Sequence, residues 1–87
     1  MTSTQIYSFL RGMDIKRIAG DNIRGFRSQM EWSQEKLAGK VGLFYTYIGK
    51  VERGEATISI TNLAKIAKAF KVETNVLLIK DSYKTQK

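Results

Sequence analysis

The residues best equipped for chemistry in this 87-residue chain are clustered between positions 45 and 50. Tyr45 and Tyr47 carry phenol groups, Thr46 carries a hydroxyl group and Lys50 carries an ammonium group, so the stretch is rich in hydrogen-bond donors. The chain contains no His and no Cys, which removes the usual general base, the thiolate nucleophile and the usual zinc ligands. Without a partner base, a Tyr, Lys or Ser side chain is a weak nucleophile. The residue types therefore favour binding over catalysis, and they predict neither a cofactor nor a metal.

The excess of positive charge indicates that the binding partner is a polyanion. The chain has 15 Lys and Arg residues against 8 Asp and Glu residues, a formal net charge of +7 at pH 7. Such a charge favours nucleic acid or an anionic membrane, and charge alone does not separate the two. No apolar run approaches the roughly 20 residues that span a bilayer, and the N-terminal residues do not resemble a secretory signal. We therefore expect a single small domain in the cytoplasm that does not bind a membrane.

Apolar spacing and helix-capping residues predict an all-α domain. Apolar residues recur every three or four positions, and Asp14, Ser33 and Ser59 stand where helices would begin. The pattern predicts helices at about 16–30, 33–40 and 44–52, a fourth within 59–72, and a short fifth at about 74–79. Residues 1–14 hold apolar residues at the same spacing and are expected to form either an arm or an extra helical turn. The prediction is therefore a domain over 15–80, preceded by that segment and followed by a tail over 81–87.

The second and third predicted helices are short and are joined by a tight turn at Gly42, which tolerates a positive φ angle. This is the layout of a helix-turn-helix, in which the second helix of the pair enters the DNA major groove. Ile48 and Val51 would anchor that helix to the core. Positions 45, 46, 49 and 50 would then lie on its outer side.

The residues on the outer side of this helix and those near it are predicted to make two kinds of DNA contact, one to bases and one to phosphates. Lys50 can donate to guanine, Thr46 can bond a base edge or touch a thymine methyl group, and Tyr45 offers a ring and a hydroxyl group. Contacts to bases are predicted for Tyr45, Thr46, Gly49 and Lys50, and contacts to phosphates for Gln34, Tyr47, Arg53, Thr57 and Ser59. The alternative is an ordinary solvated surface. We expect such a surface for the regularly spaced Lys65, Lys68 and Lys71, which would act by long-range attraction.

The string SQEKLAGKVGLFYTYIGKVERG, followed by LAKIAKAFKV, resembles the phage-repressor-like helix-turn-helix family, also called the XRE family. The matching positions are Arg27, Ser33, Gln34, Leu37, Ala38, Gly42, Ile48, Glu52, Arg53, Gly54, Leu63, Ile66 and Ala67. The resemblance implies a compact five-helix bundle of the lambda-repressor-like DNA-binding type, in a bacterial or phage-encoded transcriptional regulator. Restriction–modification controller proteins and Cro-like repressors are the nearest comparisons among stand-alone members of this size. It also implies a structural ion pair between Arg27 and Glu52.

The chain departs from the family pattern at three positions. Phe44 stands where members often carry a Ser or Thr that caps the third helix, and its side chain cannot accept a backbone hydrogen bond. Glu31 stands where the first helix often ends in Gly, so a non-Gly residue is expected in the left-handed region. Gly49 replaces a common small polar residue and would let DNA approach closely.

A single recognition helix reads only a few base pairs, so discrimination among genomic sites favours a dimer. The C-terminal segment is more apolar than one buried side requires, and the predicted dimer interface comprises Val76, Leu77, Leu78, Ile79 and Tyr83. Two copies of the third helix would then lie about 34–36 Å apart and match an inverted-repeat operator in double-stranded DNA. We expect a homodimeric regulator, acting as a repressor. The alternative is an antitoxin-type protein-interaction module that covers a toxin and also binds DNA for autoregulation.

Overall fold

The computed structural model describes residues 14–85, and these residues form an all-helical fold. Four α-helices lie in this part of the chain: α1 (Ile15–Gln29), α2 (Gln34–Val41), α3 (Tyr45–Glu52) and α4 (Ile60–Phe70). Two 3-10 helices follow, over Thr74–Leu78 and Ser82–Lys84. The predicted all-α class is confirmed, and the predicted fifth helix is a 3-10 helix rather than an α-helix. The predicted arm or extra turn lies outside the described residues, apart from Asp14.

Three of these α-helices begin at the side-chain caps that the sequence predicts. The carboxylate of Asp14 accepts a hydrogen bond from the backbone N–H of Arg17 at 3.2 Å. The hydroxyl groups of Ser33 and Ser59 accept in the same way at 3.0 and 3.1 Å. Helix α3 has no such bond, because its N-cap residue is Phe44. The first turn of α3 therefore depends on backbone hydrogen bonds alone.

Gly42 turns the chain between α2 and α3. Its φ of 72° lies in the left-handed region, which glycine adopts without steric penalty. The N–H of the next residue, Leu43, donates to the carbonyl of Ala38 at 3.0 Å and closes the end of α2. The left-handed position expected after α1 is also present, because Glu31 has a φ of 60°. Two short α-helices and one tight turn therefore form the helix-turn-helix that the sequence predicts.

The core is built from apolar side chains of all four α-helices and of the first 3-10 helix. Its fully buried members include Ile23, Leu37, Ile48, Ile66 and Leu77. The rings of Phe26 and Phe70 stack at 5.5 Å between centroids, and Trp32 stacks on Phe70 at 5.9 Å. Trp32 thus covers one side of the core. Among the helices formed by residues 14–85, none is long and apolar enough to cross a membrane.

Helices α1 and α3 make close contact at Gly20. A Cβ atom at this position would collide with the carbonyl oxygen of Val51 and would lie 2.8 Å from the carbonyl oxygen of Glu52. Only a residue without a side chain allows this approach. Gly25, further along α1, is covered instead by the ring of Tyr83.

A buried ion pair also joins α1 to α3. The guanidinium group of Arg27 on α1 donates to both carboxylate oxygens of Glu52 on α3, at 2.6 and 2.9 Å. The side chain of Glu52 is 0% exposed and that of Arg27 is 16% exposed. The pair implied by the family resemblance is therefore present, with the bidentate geometry that binds a carboxylate most strongly.

The C-terminal segment is tied to α1 by Asn22, a polar residue that is fully buried. Its side-chain amide donates to the carbonyl oxygens of Leu77 and Ile79 at 2.9 and 2.8 Å. Leu77 is 0% exposed, whereas Leu78 and Ile79 are 36% and 53% exposed. Leu77 therefore packs in the core of its own protomer instead of facing a second subunit, because Asn22 fixes the backbone on both sides of Leu78.

We expect Gly20→Ala to destabilise the fold by about 1–3 kcal/mol, because the added methyl group meets backbone atoms that cannot move aside. Gly39→Ala is the matched control, since Gly39 lies within α2 and a Cβ atom there has open space. The control should stabilise the protein by about 0.5–1 kcal/mol through helix propensity. Urea unfolding of the three proteins measures both changes. Equal effects of the two substitutions would contradict a close helix contact at Gly20.

Replacing Arg27 and replacing Glu52 should lower the free energy of unfolding by different amounts. Arg27→Met leaves the fully buried carboxylate of Glu52 short of donors, and we expect the free energy of unfolding to fall by about 3–5 kcal/mol. Glu52→Gln should destabilise less, because Arg27 can still donate to the amide oxygen and is partly exposed. Urea unfolding followed by Trp32 fluorescence gives the comparison. A larger loss in Glu52→Gln than in Arg27→Met would show that this reasoning is wrong.

Candidate nucleic-acid interface

Helix α3 buries apolar side chains on one side and exposes polar ones on the other. Ile48 is 0% exposed and Val51 is 1% exposed, and both pack in the core. Tyr45, Thr46 and Lys50 are exposed. We name these three residues the recognition ridge. The ridge presents a phenol, a hydroxyl and an ammonium group, which are suited to hydrogen-bonding the edges of bases.

Gly49 is not part of the recognition ridge, which differs from the sequence-based expectation. The residue is buried, and a Cβ atom placed on it would lie 3.1 Å from Arg53 Nη1 and 3.4 Å from Gln34 Oε1. Both of these side chains therefore pass next to the glycine. The missing side chain makes room for Gln34 and Arg53, and Gly49 offers no open surface to a base.

Gln34, the first residue of α2, is held in place by the buried ion pair. Its side-chain amide donates to Glu52 Oε1 at 3.0 Å, on the same carboxylate that Arg27 contacts. Hydrogen bonding to Glu52 raises the pKa of Arg27, against the opposing effect of burial, so the guanidinium group stays charged. Arg24, which is half exposed, adds a longer contact to Glu52 at 3.7 Å. Glu52 therefore connects α1, α2 and α3 at the C-terminal end of α3.

The other predicted phosphate contacts follow along α3 and the loop after it. Tyr47 is half-buried, and its hydroxyl donates to the carbonyl of Thr57 at 3.3 Å. Arg53 and Glu55 form an ion pair at 2.6 Å, with both side chains more than half exposed. The side chain of Thr57 is exposed, and Ser59 is exposed while it caps α4. Arg53 is the cation of this group, and Glu55 partly balances its charge.

The lysines of α4 and Lys71, which caps its C-terminal end, lie on a different surface from the recognition ridge. Lys65, Lys68 and Lys71 line an open depression together with Met30 and Trp32. None of the residues of the recognition ridge lines this depression. The separation leaves long-range attraction as the simplest role for these charges.

Phe44 is an exposed residue that the sequence-based prediction did not place in the interface. Its side chain is 82% exposed, the highest value among the exposed large apolar residues of the described chain. It directly precedes Tyr45, at the end of α3 that approaches bases in helix-turn-helix proteins. The sequence did contain a signal for this residue, because Phe44 is apolar at a helix start, where a polar capping residue is favoured.

The chain is similar to known proteins in both sequence and fold. The HTH_3 family, described as helix-turn-helix, matches residues 23–77. Control protein C.SmaI of Serratia marcescens is 40% identical over 74 residues, which cover 85% of this chain and 88% of that protein. The crystal structure of hypothetical transcription factor NHTF from Neisseria superposes with a TM-score of 0.75 at 35% identity and covers 82% of each chain. The restriction-modification controller protein C.AhdI from Aeromonas hydrophila superposes with a TM-score of 0.69 at 37% identity, covering 71% of this chain and 94% of its own.

The match to the family spans more than half of the chain and includes α2, the turn at Gly42 and all of α3. The similar proteins align over most of their own lengths. The chain therefore belongs to the HTH_3 family of helix-turn-helix, DNA-binding transcriptional regulators.

Proposed function

We propose that the chain is a sequence-specific transcriptional regulator whose homodimer binds an inverted-repeat operator through α3. The observation that carries this proposal is the recognition ridge, in which Tyr45, Thr46 and Lys50 are exposed on a helix whose opposite side is buried. Lys50 can donate to guanine and Thr46 can contact a base edge, so the ridge can discriminate between base pairs. The names of C.SmaI, a control protein, and C.AhdI, a restriction-modification controller protein, support a controller role for this chain.

Gln34 is the proposed anchor on the DNA backbone. It is the first residue of α2, where free N–H groups and the positive end of the helix dipole attract a phosphate. One of its amide protons is bonded to Glu52 at 3.0 Å, which orients the side chain before DNA arrives. The net charge of +7 adds long-range attraction to the phosphate backbone. In this proposal α2 positions the protein and α3 reads the sequence.

The proposed dimer interface is centred on Leu78 and Ile79, which are 36% and 53% exposed. Val76 and Tyr83, which are half-buried, complete the proposed set. The bond from Asn22 to the carbonyl of Ile79 holds this segment against α1. A two-fold axis through the segment would place two copies of α3 about 34–36 Å apart, on successive major grooves of an inverted repeat.

Repression is the proposed regulatory effect. A dimer bound to an operator that overlaps a promoter excludes polymerase from the same DNA. A reporter gene placed behind the operator distinguishes repression from activation. Under repression, its expression should fall when the protein is supplied. A rise in expression would instead indicate activation.

Selection from randomised DNA duplexes tests the proposed function directly. The purified full-length protein should enrich an inverted repeat. A repeat of the selection at two salt concentrations counts phosphate contacts, since the logarithm of affinity falls linearly with the logarithm of salt concentration. Enrichment of no sequence at either salt concentration would contradict the proposal.

Lys50→Ala should weaken binding to the selected operator by about 1–3 kcal/mol and relax the preference at one base pair of each half-site. Lys65→Ala is the matched control, because it removes the same charge from the separate surface of α4. The control should lower affinity for all sequences alike. Competition binding with single-base operator variants measures both effects. An unchanged base preference in Lys50→Ala would contradict a reading role for the ridge.

Ile79→Asp should convert the dimer to a monomer, because the interface would then bury an unpaired charge. Met30→Asp is the control, since Met30 is 40% exposed and lines the depression beside the lysines of α4. Sedimentation equilibrium should show a monomer for the first variant and a dimer for the second. A wild-type protein that is monomeric would rule out the homodimer. A protein that is stable only with a second, different chain would favour the antitoxin-type alternative.

A further inference from the structure

Phe44 contributes little to the packing of the fold. The other two phenylalanine residues that the structure describes, Phe26 and Phe70, are 5% and 6% exposed and stack on each other at 5.5 Å between ring centroids. Phe44 is 82% exposed and is not among the residues packed against the core. An aromatic ring left in water forgoes the favourable burial that such a side chain otherwise gains. Core packing therefore does not explain a phenylalanine at this position.

Helix capping does not explain Phe44 either. The residue is the N-cap of α3, and its side chain makes no capping bond. Its carbonyl accepts hydrogen bonds from the N–H groups of Tyr47 and Ile48, both at 3.1 Å, and any residue can supply that carbonyl. A serine would in addition satisfy a free N–H group, as Ser33 and Ser59 do at the starts of α2 and α4. The phenyl ring thus replaces a stabilising cap at the start of the helix that carries the ridge.

The place of Phe44 in the helix-turn-helix supplies a reason for the ring. In this motif the N-terminal residues of the second helix approach the edges of the bases. Phe44 directly precedes Tyr45, which is 53% exposed. The apolar group that the major groove presents is the 5-methyl group of a pyrimidine. A phenyl ring forms no ordinary hydrogen bond to a base edge, but it packs against a methyl group and removes it from water.

We propose that Phe44 is a specificity-determining residue that contacts a pyrimidine 5-methyl group, that of thymine in unmodified DNA, in each half-site of the operator. The proposal rests on the DNA-reading role proposed for α3 and adds an apolar contact to its polar ones. It assigns the preference for one A·T base pair to packing of a ring on a methyl group rather than to a hydrogen bond.

Uracil substitution tests this contact, because deoxyuridine differs from thymidine only in lacking the 5-methyl group. Each thymine of the selected operator is replaced singly by uracil, and affinity is measured for the wild-type protein, Phe44→Ser and Phe44→Ala. The wild-type protein should lose about fourfold in affinity at one position of each half-site, the effect expected of one methyl group. Both variants should show no loss at that position.

A second arm restores the methyl group on a different base. Cytosine is placed at the sensitive position and is then replaced by 5-methylcytosine. The wild-type protein should recover about fourfold in affinity with the methylated base, and Phe44→Ser should recover none. The uracil arm thus reports the methyl group of thymine, and this arm reports that of methylated cytosine.

Thermal unfolding measured in parallel separates the contact from folding. Phe44→Ser should melt about 4–8 °C above Phe44→Ala, because serine caps α3 and alanine does not. Both variants should nevertheless lose the sensitivity to uracil equally. Ile60→Ser is the matched control, since Ile60 is 68% exposed at the start of α4. Its replacement should leave the position that is sensitive to uracil unchanged.

The results distinguish failure of this inference from failure of the proposed function. If no duplex is enriched in the selection, the proposed function fails. If an operator is enriched but uracil has no effect, or has the same effect on wild type and Phe44→Ser, the contact is overturned while the reading role of α3 stands. A Phe44→Ser protein that keeps the wild-type uracil profile but no longer regulates a reporter gene would assign Phe44 to a protein contact and would also overturn the proposal.

Discussion

The carboxylate of Glu52 provides the contact on which the geometry of the helix-turn-helix depends. It lies at the end of α3, is fully buried, and accepts hydrogen bonds from Arg27 on α1 and Gln34 on α2. A buried carboxylate is destabilising unless such partners surround it, so the three helices must meet in this arrangement. Gly20 allows α1 to approach α3 closely enough for the contact. The need to surround the Glu52 carboxylate with hydrogen-bond donors therefore largely sets the orientation of α3 relative to the start of α2.

This arrangement leaves the side chains on the outer side of α3 exposed. Ile48, Val51 and Glu52 hold the helix, and all three are buried. The recognition ridge and Phe44 are exposed, so under the proposed function substitutions there would alter DNA preference without disrupting the core. At position 44 the chain also forgoes stability, because a serine would cap α3 and Phe44 does not. Local rules of folding are commonly broken where a residue serves binding.

Sequence reasoning succeeded where the physical cause is local. Caps such as Ser33 and the turn at Gly42 act within a few residues, and the three-residue spacing of the buried Ile48 and Val51 identifies the outer side of α3. It failed where the cause is distant along the chain. Leu77 is buried because the segment around it is bonded to Asn22, which lies 55 residues earlier. Gly49 is covered by Gln34 from another helix, and no periodicity within α3 could predict that neighbour.

Contact between bases and the outer side of α3 is measured most directly by intermolecular nuclear Overhauser effects between isotope-labelled protein and the selected duplex. We predict cross-peaks from the side chains of Phe44, Tyr45 and Thr46 to base protons in the major groove. The lysines of α4 should give none. Cross-peaks to bases from α4, with none from α3, would contradict the assignment of α3 as the reading helix.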